Sequence, residues 1–356
     1  MYRKPAILLL IVIALTGFRK GKRDTPYPFP EPYLFHKMPV AADNPVTVAG
    51  VNLGRHLFYD PILSADSSIS CASCHRQEAA FSDAPKQFST GIGGAISSRN
   101  TMPLYNLAWY PSLFWDGRGG SIEQQVFHPV RTNNEMNLQW DVAVERVRRS
   151  RMYKAKFNDA FGSSEIDSVL IAKAIAQFER TLISYNSKYD SVIRGEASFS
   201  KAELKGFEQI TDMSMADCLH CHTVDSDPMG TTFGFSNNGL DDIQDAANYV
   251  DKGRGGITGE KEDNGKFRIP SLRNIALTAP YMHDGRFSTL KEVLDFYSEG
   301  VHASVNVDNK MGSAYKGGVH LTEDEKYFII SFLSTLTDSV FIKEPTFGNP
   351  FTKNGR

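Results

Sequence analysis

Four cysteines fall in two pairs, Cys71-Ala72-Ser73-Cys74-His75 and Cys218-Leu219-His220-Cys221-His222, and none is left over. Each pair reads C-x-x-C-H. That spacing suits covalent attachment of a c-type haem: the two thiols add across the vinyl groups and the following histidine reaches the iron as its axial ligand. From the chain's own cysteine and histidine content, such a pentapeptide should arise by chance about 0.001 times. A disulfide, a thioredoxin-like dithiol or half of a zinc site would use the cysteines but would not explain a histidine in the same place twice. A zinc site would also have to unite pairs 147 positions apart, from 71 to 218. Cys71, Cys74, His75, Cys218, Cys221 and His222 are therefore expected to hold two haems.

The chain that must position them has 356 residues, 41% of them hydrophobic, and Lys+Arg 39 against Asp+Glu 41 for a formal charge of −2. This length can build about two to three domains with real cores, without disulfide support. The near balance of charge argues against a nucleic-acid binder, which needs a basic excess to neutralise phosphates. Met1-Tyr2-Arg3-Lys4 followed by the apolar run 6–18 reads as a secretory signal or a retained anchor over residues 1–23. The run is short for a bilayer span, and no A-x-A precedes the basic cluster 19–23. The folded part is expected in the periplasm, soluble or N-terminally anchored. A Pro-rich linker follows at 24–33. A first haem domain is expected over 34–190, a second over 191–340 and a tail over 341–356. Ile166, Val169, Leu170, Ala174, Ile175, Phe178 and Leu182 recur at helical steps, and Ser200-x-x-Glu203, Thr289-x-x-Glu292 and Thr322-x-x-Glu325 open three further helices as capping boxes. Strand signals are sparse. The expected fold is mainly α: two cytochrome-c-like haem domains with long loops and little β structure.

Whether two haems carry electrons or do chemistry depends on the sixth position of each iron and on the polar groups beside it. Here longer motifs matter: Leu53-Gly54-Arg55-His56-Leu57-Phe58-Tyr59-Asp60, Phe114-Trp115-Asp116-Gly117-Arg118, Phe267-Arg268-Ile269-Pro270-Ser271-Leu272-Arg273-Asn274 and Tyr281-Met282-His283-Asp284-Gly285. In their order around both haem motifs, over about residues 34 to 338, they resemble the bacterial diheme cytochrome c peroxidase family, including its MauG-type branch. The resemblance implies a peroxide-reacting N-terminal haem on His75 and an electron-entry C-terminal haem on His222. It places the family's tryptophan between the haems at Trp115, its distal glutamine at Gln125 and its catalytic glutamate at Glu135. Taken alone, Trp115 reads equally well as core, and Glu135 in Thr132-Asn133-Asn134-Glu135-Met136 as a solvated loop acid. Peroxide heterolysis, however, needs a group that moves a proton from the inner to the outer oxygen, which a positioned carboxylate can do.

Two departures from the better-known peroxidases stand out. The loop 88–100, where many of them place a capping histidine, contains none, and Ile92 stands about where that ligand would be. The first iron is therefore expected to be five-coordinate at rest. At the second haem, the family's methionine position falls on Tyr297, as in the MauG-type branch. Leu290, Val293, Leu294 and Tyr297 also follow a helical stripe, so Tyr297 reads as core as well, and Met282 and Met311 remain candidate ligands. The resemblance further implies a calcium ion through Asn100 and the carbonyls of Thr278 and Pro280; locally, Asn100 and Pro280 are ordinary turn residues. His36, His128, His302 and His320 are expected at the surface, His220 as a spacer and His283 as structural. The expected activity is cytochrome-c peroxidase: hydrogen peroxide is reduced at the first haem with electrons from a small redox protein, a monohaem cytochrome c or a cupredoxin. The alternatives are a MauG-type oxidase of a protein or small organic substrate, and a plain diheme electron carrier. The sequence leaves the oligomeric state, monomer or homodimer, open.

Overall fold

The computed structural model describes residues 25–352 except 164, 213, 215 and 217; the expected signal over 1–23 lies outside them. The first haem motif follows α1 (Val48–Tyr59), whose N-cap Thr47 accepts from the Gly50 N–H. The motif itself is a single turn, α2 (Cys71–Cys74). After a long loop come α3 (Ile122–Arg131), α4 (Trp140–Arg149), α5 (Arg151–Phe161) and α6 (Ser168–Glu179). Helix α6 spans the stripe read from the sequence and buries Ile171, Ala174, Ile175 and Phe178 against Leu53, Leu57 and Phe58 of α1. The two helices cross tightly because residue 54 is glycine. A Cβ there would stand 1.9 Å from the Ala174 carbonyl oxygen.

The second half repeats this plan. After α7 (Lys188–Ile193), the Ser200/Glu203 capping box opens α8 (Lys201–Thr211), which leads to the turn Cys218–His220. Past the short turn α9 (Gly255–Thr258), α10 (Leu290–Glu299) and α11 (Glu323–Ser334) open with the other two capping boxes. Helix α8 crosses α11 as α1 crosses α6, and again a glycine permits it: a Cβ on Gly206 would lie 1.9 Å from the Phe328 carbonyl oxygen. The only sheet among the described residues pairs β1 (Phe235–Ser236) with β2 (Phe267–Arg268), antiparallel. The fold is mainly helical.

The duplication is closest in residues 106–131 and 274–299, which adopt the same elements 168 positions apart, from 106 to 274 and from 131 to 299. Asn106 and Asn274 both take left-handed backbone before a short turn, Leu107–Trp109 and Ile275–Leu277. Bridges then pair Leu113 with Gly119 and Tyr281 with Phe287. Within each bridge an Asp-Gly-Arg turn has its carboxylate accepting from the arginine N–H two residues on, Asp116 from Arg118 and Asp284 from Arg286. Helices α3 and α10 follow in register. Each asparagine is tied to the chain leaving its own C-terminal helix: the Asn106 Nδ2 donates to the Ser184 carbonyl, and the Asn274 Oδ1 accepts from the Asp338 N–H.

The expected linker and tail depart from the sequence reading. Pro26 bridges to Thr47, and the Tyr27 N–H donates to the Val46 carbonyl, so part of the segment 24–33 docks on the first unit. Phe341 and Phe347 are buried beside Phe81 in the N-terminal core, and the Pro345 and Gly348 carbonyls accept from Arg55. Two large aromatic rings beyond the end of α11 find apolar cover there, so residues 341–348 form a strap that returns to the first unit.

Candidate active site: two cavities with a common wall

Each haem motif opens on its own cavity. The first, about 690 Å³, is lined by Cys71, Cys74 and His75 together with Trp115, Gln125, Pro129 and Glu135. The second, about 250 Å³, is lined by Cys218, Cys221, His222, Tyr297, Met282 and Met311. The two histidines are held alike. His75 Nδ1 lies 2.8 Å from the Phe81 carbonyl oxygen and His222 Nδ1 lies 3.2 Å from that of Gly230. A carbonyl can only accept, so Nδ1 carries the proton and Nε2 keeps its lone pair. Burial also pushes both imidazoles below the usual histidine range, keeping them neutral. Two sulfurs and one neutral imidazole on one turn, facing a cavity, are the donors a covalently attached haem requires, so both sites fit the group.

The distal sides differ. Helix α3 supplies Gln125 and Pro129 to the first cavity, and the turn after it supplies Glu135. Burial pushes the Glu135 carboxyl above the ordinary carboxylate range, with the Arg118 guanidinium opposing. In the duplicated register, position 129 corresponds to 297. The first cavity thus presents a proline ring, with no donor atom, where the second presents a phenol. Tyr297 Oη accepts from Asn238 Nδ2 at 3.0 Å, and burial pushes its pKa up to about 12. Met282 and Met311 line the same cavity, so all three candidate ligands converge there. His75 is the sole histidine lining the first cavity among the described residues. Ile92 does not line it. The loop 88–100 turns at Gly93 and Gly94, both at positive φ, and the Ile92 N–H instead donates to the Glu135 carbonyl at 2.9 Å, bracing the acid.

Trp115 lines both cavities, as do Asn100, Met102, Pro103, Leu107 and Arg268. Its indole Nε1 donates to the Asn100 carbonyl at 2.8 Å, and the Asn100 N–H donates to the His283 carbonyl. The common wall thus ties the Trp115 turn to the matching turn of the second unit. His283, in the place corresponding to Trp115, is buried and stacks on Phe267 at 3.6 Å between centroids. The residues suggested for calcium, Asn100, Thr278 and Pro280, all line the second cavity. The Asn100 Nδ2 donates to the Gln87 carbonyl, and no cluster of three or more His, Cys, Asp or Glu able to hold a metal occurs among the described residues. His36, His302 and His320 are exposed. His128 is not at the surface: it is half-buried with its ring edge-on to Phe114 at 5.1 Å, because α3 lies on the Phe114 turn.

Three lining residues escaped the sequence reading. Pro129 is visible only once the two halves are set 168 positions apart. Glu179 falls inside the apolar stripe of α6, and it is buried in the first cavity wall with its carboxyl pushed up to about 8. Arg268 falls within the motif 267–274, but nothing in that motif gives it a role of its own.

A duplicated unit, each copy with its own C-x-x-C-H turn and cavity, defines a protein built to hold two c-type haems. Comparison with known proteins agrees. The family model described as di-haem cytochrome c peroxidase matches residues 48–198. The chain is 34% identical to the methylamine utilization protein MauG of Methylorubrum extorquens, over 82% of this chain and 79% of that one. It is 30% identical to the cytochrome c551 peroxidase of Nitrosomonas europaea, covering 84% of this chain and 83% of that protein. A crystal structure of a MauG-like protein associated with microbial copper homeostasis superposes with a TM-score of 0.84 at 35% identity, covering 92% of this chain and all of that one. The chain belongs to the di-haem cytochrome c peroxidase family, whose members carry both peroxidase and MauG names.

Proposed function

We propose that the protein reduces hydrogen peroxide in the first cavity with electrons that enter through the second. The observation that carries this reading is the asymmetry of two duplicated sites. The first cavity holds an acid and an amide and has proline at position 129, whereas the second holds a phenol at the matching position. The haems supply the redox chemistry, taking up and passing on the two electrons in H2O2 + 2 H+ + 2 e− → 2 H2O. The chain's own residues do the rest. The Pro129 ring leaves room for peroxide beside the Gln125 amide, which orients it by hydrogen bonding. A Glu135 carboxylate oxygen accepts the proton of the inner peroxide oxygen and returns it to the outer one, so that water leaves instead of hydroxide. Trp115 places an indole on the wall common to both sites, where it can carry an electron between them. Tyr297, Met282 and Met311 are the side chains that could hold the second iron; were it Tyr297, the phenol would have to lose its proton on binding, and the resulting phenolate would lower that haem's potential relative to methionine. The two haems and the N-terminal segment 1–23 together point to a periplasmic protein. Among the described residues no helix is long and apolar enough to cross a membrane.

A MauG-type oxidation of a protein or small organic substrate is the second reading, favoured by Tyr297 and by a first cavity wall that, among the described residues, holds no histidine besides His75. Steady-state mixing of peroxide with a reduced small cytochrome c separates the two. Two equivalents of cytochrome oxidised per peroxide are expected. Negligible cytochrome turnover with a fast spectral response to peroxide would favour the oxidase, and no spectral response at all would reduce the protein to an electron carrier.

A further inference from the structure

Among the described residues three arginines are buried, Arg180, Arg268 and Arg273. Arg180 is paired with Glu123 at 2.6 Å and Arg273 with Asp190 at 2.5 Å. Arg268 has no carboxylate. Its Nη2 reaches the Met102 sulfur at 3.1 Å, its Nη1 the Ser112 carbonyl at 3.4 Å, and its guanidinium carbon lies 4.2 Å from the Tyr110 ring centroid. Its Nε is buried with no partner. A thioether, one long carbonyl contact and a ring face recover only a fraction of what it costs to take a guanidinium out of water. Charges buried in proteins are paired, so a missing anion is expected here. The backbone of Arg268 is held firmly, its N–H donating to the Trp115 carbonyl at 2.8 Å, and the side chain lines both cavities. Each haem brings two carboxylates, and the common wall is where such a carboxylate would meet this cation.

We propose that Arg268 is the counter-cation of a haem propionate at the wall between the two cavities, its unused Nε–H being a donor held ready for that carboxylate. This rests on the reading that both cavities hold haem. Arg268 is then a positioning residue: it fixes one propionate beside Trp115 and adds a positive charge close to one iron. That charge favours the reduced form of the haem that owns the propionate.

The test uses the holoprotein with Arg268→Leu and Arg268→Lys. Haem content per chain is measured first; fewer than two haems in the unaltered protein would overturn the two-haem reading itself. Redox titration followed by absorption then resolves the two midpoint potentials, and resonance Raman spectroscopy reads the propionate bending bands. Arg268→Leu is expected to lower the potential of one haem and shift its propionate band, and the haem that moves identifies the owner. Arg268→Lys should hold the potential near that of the unaltered protein, because the charge is kept, while still shifting the band, because the hydrogen-bond geometry changes. Unmoved potentials and bands in Arg268→Leu would overturn the proposal, as would a lysine variant whose potential falls as far as leucine's, since packing would then account for the effect. Should Arg268→Leu fail to take up haem, the lysine variant decides alone: an unmoved propionate band sinks the idea.

Discussion

Glu135 sits where a loop acid would ordinarily be solvated, yet α3 and the loop 88–100 enclose it. A Cβ on Gly91 would lie 2.1 Å from the Asn134 carbonyl oxygen, so the two turns are in backbone contact beside it. This close cover raises the carboxyl above the ordinary range. A base must be deprotonated to work, so activity should fall as pH drops through this raised value and be full above it. The acid limb of kcat/KM is therefore expected above the ordinary carboxylate range. Glu135→Gln, which removes the base while keeping the shape, should cut peroxide turnover about 100-fold or more with both haems retained. Near-normal turnover in that variant would exclude Glu135 from proton transfer. The cysteines and the two histidines that follow them could be named from the sequence because their chemistry is local, whereas Tyr297 was named only through the family resemblance, its local pattern being that of a core residue. Arg268 could not be named, because the signal it carries is the carboxylate it lacks, and that is visible only when its neighbours are assembled. Glu179 was hidden for the opposite reason, as one polar residue inside an apolar helical stripe.

The helices were legible because capping boxes and apolar periodicity are local patterns, and all three boxes form as read. The strap 341–348 was not, since its burial depends on partners nearly 300 positions away, Arg55 among them. The α1/α6 and α8/α11 crossings also depend on distant contacts, but each leaves one mark in the sequence, a glycine within the first helix. Gly206→Ala should force α8 off the Phe328 carbonyl and cost roughly 1–3 kcal/mol, as overpacking does, read as a lower thermal midpoint of the holoprotein. An unchanged midpoint would mean that the crossing is not tight. Asp190 on α7 binds the guanidinium of Arg273, which holds its carboxyl below the ordinary range; burial alone would raise it. With the folded-state pKa lowered, this pair stabilises fully at neutral pH, and the contribution is lost as pH falls towards the lowered value. Asp190→Asn should cost about 3–5 kcal/mol, because it leaves a buried guanidinium without its charge partner. A denaturant titration near neutral pH checks this.

At the scale of the whole molecule, one supersecondary plan has been used twice and then made unequal. Residues 106–131 and 274–299 keep the same turns, bridges and helices, yet Trp115 stands against His283 and Pro129 against Tyr297. The substitutions fall where each unit faces its cavity, while the Asn106 and Asn274 anchors that hold the units in register are kept. Trp115, Asn100 and Arg268 then form the wall between the two cavities, tied by the Trp115 indole N–H to the Asn100 carbonyl and by the Arg268 N–H to the Trp115 carbonyl. On the proposed reading the first iron is open and reactive, and the second is capped and serves it. Low-temperature electron paramagnetic resonance of the fully oxidised protein tests it most directly. One high-spin signal from the His75 haem and one low-spin signal from the His222 haem are expected; two low-spin signals would rule this arrangement out.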